Sequence, residues 1–177
     1  FFAFKTTNND GHKYIKELYD KGIRYFICEK LPELNQYPKA IFLLVKDSLE
    51  ALQKIAKHKR ENFHKEVVAI TGSNGKTIVK EWIVQLAQEN KKICYSPRSY
   101  NSQIGVALSL WQLNANHDLG LFEAGISKPN EMCRLQEIIQ PTIGVFTNIG
   151  SAHQINFSSL EEKIEEKLFT NEEVKKI

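Results

Sequence analysis

The chain has 177 residues, of which 42% are hydrophobic and 25% are charged, and its formal net charge is +3. These values are ordinary for a soluble globular protein with one large domain or two small ones. The small net charge and the lack of a basic stripe interleaved with aromatic residues argue against nucleic acid as a partner. The longest apolar runs, at 40–45 and 143–146, are too short to cross a bilayer, and no signal peptide is visible, so we expect no membrane insertion.

Three cysteines, Cys28, Cys94 and Cys133, are widely spaced and fall outside any C-x-x-C pattern. Isolated cysteines in odd number indicate reduced thiols in a cytoplasmic protein, with packing roles rather than metal-binding or nucleophilic ones. The chain begins within an apolar run that has no initiator Met, and it ends without a clear stop. We therefore expect a fragment of a longer protein.

The first part of the chain predicts a small α/β domain over 1–62. Its periodicity and turn signals predict a strand at 1–5, a polar loop at 6–11, a helix at 12–21 ended by Gly22, a strand at 23–28, a loop at 31–38, a strand at 40–45 and a helix from 48 towards 59. Asp47 and Ser48 are alternative N-caps of that last helix. The charged stretch 57–66 indicates a domain boundary, and its His58 and His64 are expected on the surface.

The second part, 63–177, alternates strictly between strand and helix patterns. Strands are predicted at 67–70, 92–95, 119–123 and 142–147, and helices at 77–89, 104–112, about 130–139 and from 159 onward. Such alternation predicts an α/β fold with a mainly parallel sheet flanked by helices.

The strand at 67–70 leads into Gly72-Ser73-Asn74-Gly75-Lys76-Thr77 and then into a helix pattern. That order is typical of a phosphate-binding loop, because glycines let backbone N–H groups surround an anion at a helix N-terminus. Lys76 is expected to reach the outer phosphates and the Thr77 hydroxyl to ligate Mg²⁺. Ile70 stands where the full G-x-x-x-x-G-K-[ST] pattern has its first glycine, so a simple tight turn is the alternative.

Two further candidates follow other strands of the same predicted sheet. Glu123 ends the strand at 119–123, and His153 lies in the loop after the strand at 142–147. Ligands of open α/β sheets bind beyond the carboxyl ends of the strands, and a carboxylate there suits Mg²⁺. The alternatives are a solvated strand end for Glu123 and a surface or capping role for His153, since Mg²⁺ prefers oxygen ligands.

The motifs at 70–77, Glu123-Ala124-Gly125 and Asn148-Ile149-x-x-x-His153 resemble, in order and spacing, those of the Mur ligases. The additional Tyr100-Asn101-Ser102-Gln103-Ile104-Gly105 is similar to the MurF-type branch, which adds D-alanyl-D-alanine to UDP-N-acetylmuramoyl-tripeptide. The stretches 1–5, 10–12 and 96–103 resemble the form fused to an alanine racemase, in which pyridoxal phosphate would belong only to a downstream domain. In this family the first glycine of the loop is normally missing.

The resemblance implies three domains: a UDP-sugar domain at 1–62, a central ATPase domain at 63–177 that is incomplete here, and a third domain. It implies that residues Gly72, Ser73, Asn74, Gly75, Lys76 and Thr77 hold the phosphates of ATP. It further implies that Thr77, Glu123, His153 and Lys167 belong to the metal site, with Lys76, His153 and Lys167 in catalytic roles. Lys167 matches a lysine that the family carbamylates with CO₂; by composition alone it would be a solvated lysine in a charged helix.

The resemblance also implies contacts to the UDP-sugar substrate from Thr7, Asn8 and Asn9 and from Asn101 and Ser102. For the first three residues, a plain polar turn remains the alternative.

The implied reaction belongs to peptidoglycan precursor synthesis. The terminal carboxylate of the tripeptide attacks the γ-phosphate of ATP, and the amine of D-alanyl-D-alanine then displaces phosphate from the acyl phosphate. Two alternatives stay open: another amide ligase of the folylpolyglutamate synthase type, and an isolated nucleotide- and UDP-sugar-binding module without activity.

Overall fold

The computed structural model describes residues 1–7, 9–128, 130–150, 159–167 and 175–176. The chain divides into two compact units, Phe1–Leu52 and Gln53–Ile177. The division falls within one helix, Ser48–Glu61, whereas the sequence predicted a domain boundary after residue 62, which stays a prediction. No helix of the described residues is both long and apolar enough to cross a membrane.

The first unit is built on a two-stranded parallel sheet. Its elements are α1 (Ile15–Asp20), β1 (Tyr25–Cys28), β2 (Ile41–Leu44) and the start of α2 (Ser48–Glu61), with single 3₁₀ turns at Gly11–Tyr14 and Leu34–Gln36. Tyr25 is in register with Ile41, and Cys28 with Leu44. The core of this unit consists of Ile15, Phe26 and Tyr37, which pack with Leu18, Tyr19, Ala40 and Phe42.

The predicted strand at 1–5 is wrong as a continuous strand. Phe2 makes only an isolated parallel bridge to Ile27, and Lys5 instead makes an antiparallel bridge to Asp10. The chain turns back at this point because the Gly11 amide donates to the Phe4 carbonyl at 2.7 Å. The backbone approach is so close that a Cβ on Gly11 would lie 2.9 Å from Phe4 N, so the turn and not the apolar pattern sets the local structure.

Helix boundaries in the first unit follow their capping residues. The predicted helix at 12–21 begins as a 3₁₀ turn, in which the Asp10 carboxylate accepts from His12 N at 3.0 Å, and continues as α1. Gly22 follows its end with φ +95°. Of the two candidate N-caps of α2, Asp47 is the one used, since its carboxylate accepts from Leu49 N and Glu50 N.

The second unit contains a five-stranded parallel sheet in the order β4-β5-β3-β6-β7, which confirms the predicted α/β class. Its elements are β3 (Val67–Thr71), α3 (Lys76–Ala87), β4 (Ile93–Tyr95), α4 (Gln103–Trp111), β5 (Leu119–Glu123), α5 (Glu131–Ile139), β6 (Ile143–Phe146), α6 (Leu160–Lys167) and β7 (Lys175–Lys176).

Strand β3 occupies the centre of this sheet and is buried at every position, as its apolar sequence requires. The connection from β3 to β4 runs along the sheet in one direction, and those from β4 to β5 and from β5 to β6 run in the other. Right-handed crossovers therefore put α3 on one face and α4 and α5 on the opposite face. The core under α3 contains Val68, Ile70, Val84 and Leu121.

Candidate nucleotide and metal site

The candidate site lies where the sheet changes its winding direction. Ile70 of β3 is in register with Glu123 of β5, and Thr71 is in register with Phe146 of β6. The three strands therefore end side by side, and the loops that follow them meet at one edge. In open α/β sheets this switch point is the usual place for a ligand.

The loop after β3 depends on two glycines. Gly72 has φ +135° and Gly75 has φ +81°, which disfavour residues with a side chain. A Cβ on Gly72 would lie 2.1 Å from Thr147 Oγ1, so close packing also requires glycine there. Gly75 is the N-cap residue of α3, so the loop opens onto a helix N-terminus. Ile70, at the position of the missing glycine, is fully buried within β3 rather than in the loop.

The end of β6 holds the loop from the other side. Ser73 N donates to Asn148 O at 2.8 Å, and Asn74 N donates to Asn148 Oδ1 at 3.1 Å. The Thr147 hydroxyl donates to Asn74 O at 2.6 Å. These contacts fix the loop conformation, and the sequence analysis assigned no such role to Thr147 or Asn148. Their position directly after a buried strand was the available signal.

Lys76 lies across the loop at the start of α3. Its Nζ donates to Gly72 O at 2.8 Å and approaches Ser73 O at 3.4 Å. Burial lowers the pKa of Lys76, and the nearby Glu123 carboxylate opposes this shift. The lysine thus brings a positive charge to the helix N-terminus, and its contact with phosphate stays a prediction.

Thr77 and Glu123 meet at the base of the loop. Thr77 Oγ1 donates to Glu123 Oε2 at 3.0 Å, and the Glu123 side chain is 0% exposed. Glu123 Oε1 has no hydrogen-bond donor, although it lies 3.1 Å from Lys80 Nζ in an ion pair. A buried carboxylate oxygen that lacks a hydrogen bond, beside a hydroxyl, supplies the hard oxygen ligands that Mg²⁺ prefers.

These residues fit a magnesium site completed by nucleotide. Within the described part of the chain, no group of three or more His, Cys, Asp or Glu side chains could hold a metal on its own. Mg²⁺ in phosphate sites commonly takes one or two protein carboxylates together with phosphate oxygens and water.

Lys80 belongs to this site and was missed by the sequence analysis. Its side chain is 0% exposed, and its Nζ donates to Ser96 O at 2.8 Å and to Arg98 O at 2.5 Å. The available signal was its spacing, because Lys80 shares the buried face of α3 with Val84. A lysine at an apolar helix position indicates a buried partner.

Lys167 lies at the last position of α6 and reaches the loop. Its side chain is 2% exposed, and its Nζ approaches Gly72 O at 3.4 Å. It is therefore not the solvated lysine that composition alone predicts.

The predicted His153 and Asn8 lie outside the described residues.

Asn101 and Ser102 lie in the loop between β4 and α4, next to the end of β5. Gly125 N donates to Asn101 O at 2.8 Å, and a Cβ on Gly125 would lie 2.8 Å from Asn101 Cγ. Ser102 is the N-cap of α4, and its hydroxyl accepts from Gly105 N at 3.2 Å. The Asn101 loop is thus held close to the strand that carries Glu123.

In the first unit, the predicted substrate residues Thr7 and Asn9 lie next to a hydrogen-bonded contact between Thr6 and Asn9. Asn9 N donates to Thr6 Oγ1 at 3.1 Å, and Thr6 N donates to Asn9 O at 2.8 Å, while Thr7 is exposed. Such local hydrogen bonds are compatible with both a plain polar turn and a substrate contact, so the contact to the UDP-sugar stays a prediction.

A cavity of about 540 Å³ lies beside that turn, and Lys5, Lys30, Lys46, Asp10 and His12 are among its lining residues. His12 accepts from Glu29 N at 3.0 Å and from Lys30 N at 3.2 Å through Nε2. Its Nδ1 lies 2.6 Å from Asp10 Oδ1, and hydrogen bonds from His12, first of all from its backbone N–H, lower the pKa of Asp10. The histidine therefore orders the loop that carries Lys30.

A glycine loop after the central strand of a parallel sheet, with a buried carboxylate at the end of the next strand, defines a nucleotide-binding domain of the P-loop class. Two family descriptions match the chain: "Mur ligase middle domain" over residues 70–176 and "Mur ligase family, catalytic domain" over residues 1–60. The chain belongs to the Mur ligase family, as its motifs predicted.

Individual relatives are similar over nearly the whole chain. The UDP-N-acetylmuramoyl-tripeptide–D-alanyl-D-alanine ligase of Rickettsia prowazekii is 39% identical over 160 residues, which are 90% of this chain and 35% of that protein. The solved MurF of Acinetobacter baumannii gives a TM-score of 0.87 at 27% identity, over 94% of this chain and 36% of that one. The MurF ligase of Thermotoga maritima in complex with ADP gives 0.83 at 31% identity, over 94% and 38%. The chain thus spans about a third of the length of its relatives.

Proposed function

We propose that this chain is part of an ATP-dependent amide ligase that adds D-alanyl-D-alanine to UDP-N-acetylmuramoyl-tripeptide in peptidoglycan precursor synthesis, in the cytoplasm. The observation that carries the proposal is the contact between Thr77 and the buried Glu123 at the base of a glycine loop. The relatives named as this ligase, similar over about nine-tenths of the chain, give the proposal its substrates.

The first chemical step would join two anions, the carboxylate of the tripeptide and the γ-phosphate of ATP. Lys76 and the backbone amides at the start of α3 would offset that repulsion and stabilise the charge on the transferring phosphoryl group. Mg²⁺, held by Thr77 and Glu123, would neutralise phosphate charge when bound. The amine of D-alanyl-D-alanine would then displace phosphate, which leaves an amide, ADP and inorganic phosphate.

Lys167 and His153 are proposed as the remaining protein groups of the metal site. In its neutral form, the Lys167 amine would add to CO₂ and lose a proton, which converts a cation into a carbamate with two oxygen atoms. The burial of Lys167 and its distance of 3.4 Å from Gly72 O support this role, since a carbamate there would lie beside the loop.

The first unit is proposed to bind the UDP-sugar. Its cavity of about 540 Å³ is lined by three lysines and by two carboxylates, Asp10 and Glu29, and the remaining positive charge complements a diphosphate. Thr7, Asn8 and Asn9 are proposed as residues that contact the UDP-sugar. Asn101 and Ser102, in the loop after β4, are proposed as further residues for this substrate.

Three other interpretations of the chain can be distinguished by experiment. The fused alanine racemase, with its pyridoxal phosphate, is a prediction from the stretches 1–5, 10–12 and 96–103 and would require a racemase sequence after this chain. A folylpolyglutamate-type ligase would use a pterin substrate in place of the UDP-sugar. An isolated binding module would bind nucleotide without forming a peptide bond.

A ligase assay tests the proposal. The complete protein that contains this chain is incubated with UDP-muramoyl-tripeptide, D-alanyl-D-alanine and ATP, and ADP and the pentapeptide product are measured. We expect product from the wild type, none from Lys76→Ala, and nucleotide binding without product from the 177-residue chain alone. The absence of product from the complete wild-type protein, or an unchanged rate in Lys76→Ala, would refute the proposed mechanism.

A further inference from the structure

The cationic side chain of Lys80 is wholly buried beneath the nucleotide loop. Four oxygen atoms surround its Nζ: the carbonyls of Ser96 and Arg98, and carboxylate oxygens of Glu81 at 3.0 Å and Glu123 at 3.1 Å. Glu81 is 45% exposed, whereas Glu123 is 0% exposed. The lysine is therefore the buried counter-charge of the carboxylate that belongs to the candidate metal site.

Fold stability alone does not require a lysine at this position. Taking an ammonium group out of water is costly, and a well-packed apolar side chain of similar size is often as stable as a buried ion pair or more so. The adjacent core under α3 already consists of apolar residues such as Ile70 and Val84. What a lysine provides, and methionine cannot, is a charge beside Glu123 and donors for two carbonyls.

We propose that Lys80 is a positioning residue that holds the Glu123 carboxylate in place for the metal while it ties the loop after β4 to helix α3. This inference rests on the proposed function and extends it to a residue outside the family motifs described above. Thr77 donates a hydrogen bond to one carboxylate oxygen of Glu123, and the Lys80 ammonium lies 3.1 Å from the other in an ion pair, so the carboxylate is held from both sides before metal binds. Such preorganisation lowers the cost of binding the cation.

The second half of the role concerns the loop that carries Asn101. Arg98 has φ +51°, a left-handed conformation that is unfavourable for a residue with a side chain. Its carbonyl accepts from Lys80 Nζ at 2.5 Å, and the Ser96 carbonyl accepts from the same atom at 2.8 Å. A single buried ammonium group thus connects the metal carboxylate with the loop proposed to contact the UDP-sugar. Loss of Lys80 is expected to disturb both binding events.

The test compares nucleotide binding with and without Mg²⁺ in the complete protein. The affinity for ADP is measured by calorimetry in excess Mg²⁺ and in EDTA, and the melting temperature of each variant is recorded. In Lys80→Met, we expect binding in EDTA within about twofold of wild type but the tightening caused by Mg²⁺ reduced about tenfold or more. Glu81→Gln, which removes only the exposed partner of the same lysine, is the matched control and should retain the tightening.

A double-mutant cycle separates positioning from a general loss of stability. If Lys80 acts through Glu123, adding Lys80→Met to a Glu123→Gln variant should not further reduce the increase in ADP affinity that Mg²⁺ causes. Should Lys80→Met fail to fold, Lys80→Arg takes its place in the cycle, with a smaller expected loss because guanidinium geometry differs from that of an ammonium.

Two results are decisive. The role of Lys80 would be overturned if Mg²⁺ increased the ADP affinity of the folded Lys80 variant as much as that of wild type, or if the effects in the cycle were additive. Wild-type binding would still support the proposed function in that case. Wild-type protein that binds ADP no more tightly with Mg²⁺ than in EDTA would instead overturn the metal site itself.

Discussion

Thr77 and Glu123 are 46 residues apart in the chain, yet the threonine hydroxyl donates to the buried carboxylate at 3.0 Å. Thr77 lies in the first turn of the helix after the central strand, and Glu123 ends the neighbouring strand. Parallel pairing of β3 and β5 brings them together, because it aligns the carboxyl ends of the two strands. The pair is the structural basis for assigning a metal to the nucleotide site.

The first prediction concerns the hydroxyl of Thr77. Thr77→Val keeps the branched shape but removes the oxygen that contacts Glu123. We expect the Mg²⁺-dependent part of the ADP affinity to fall about tenfold, since one oxygen of the proposed metal site is lost. Calorimetric titration with and without EDTA measures this difference. Thr77→Ser keeps the hydroxyl and should bind like wild type; equal losses in both variants would assign the effect to packing.

The second prediction compares two glycines with positive φ. Gly72→Ala would bring a Cβ to 2.1 Å from Thr147 Oγ1, whereas alanine at Gly22 would meet nothing within 4 Å. Gly22→Ala should therefore lower the free energy of unfolding only by the cost of placing alanine in a left-handed conformation, about 1–2 kcal/mol. Gly72→Ala should lower the free energy of unfolding by more than Gly22→Ala does. It should also abolish nucleotide binding, because Thr147 must move and its hydroxyl donates to Asn74 O in the loop.

Thermal unfolding and ADP titration of the two glycine variants provide the measurement. A Gly72→Ala protein with wild-type melting temperature and affinity would show that the loop does not need the observed conformation.

The strand and helix pattern of the second unit could be predicted closely from the sequence. The predicted strand at 119–123 agrees with β5, and the predicted helix at 104–112 lies within one residue of α4 at both ends. The reason is physical: strands buried on both faces must be apolar throughout, and the connections carry helical periodicity. The Gly72–Thr77 loop was predictable for a similar reason, since its glycines and Lys76 serve local geometry and charge.

The buried charges could not be predicted in this way. The spacing of Lys80 on the apolar face of its helix indicates burial, but the sequence does not show its partners Ser96, Arg98 and Glu123, which come from two other strand ends. The strand predicted at 1–5 was wrong for a related reason. The apolar pattern of these residues suits a strand, but the hydrogen bond from Gly11 N to Phe4 O turns the chain back. Both depend on contacts between segments that propensity does not encode.

The third prediction concerns Arg60, which the sequence analysis assigned to a charged boundary. Arg60 is 8% exposed, and its guanidinium donates to the carbonyls of Ile139, Gln140 and Phe63 at 2.8, 2.6 and 2.5 Å. Burial lowers the pKa of Arg60, and the charge of Glu66 opposes that shift. Arg60→Met should lower the free energy of unfolding by about 3 kcal/mol, because it leaves buried carbonyls without donors at the end of α5.

Urea denaturation of the Arg60 variant is compared with that of Arg134→Met, which removes an exposed arginine from α5 itself. The control should change the free energy of unfolding by less than about 0.5 kcal/mol. Equal effects at the two positions would contradict a structural role for Arg60.

The fourth prediction concerns thiol reactivity. Burial raises the pKa of the Cys94 thiol to about 11 and also raises the pKa of Cys28, whereas Cys133 is exposed. At pH 8, only about one Cys94 thiol in a thousand is ionised in the folded state, and the thiolate is the reactive form. Iodoacetamide should therefore modify Cys133 first, as mass spectrometry of the native protein would reveal. Rapid modification of Cys94 would contradict its burial.

The raised pKa of Cys94 also fixes the sign of a pH effect on stability. Between the ordinary thiol pKa of 9.0 and about 11, the unfolded chain releases a proton that the folded chain retains at Cys94. Stability from this group is therefore fully present below pH 9 and falls as the pH rises towards 11. Because other groups titrate in the same range, the measured quantity is the difference in free energy of unfolding between wild type and Cys94→Ala. That difference should shrink from pH 8 to pH 10.5; a constant difference would show that Cys94 ionises alike in the folded and unfolded states.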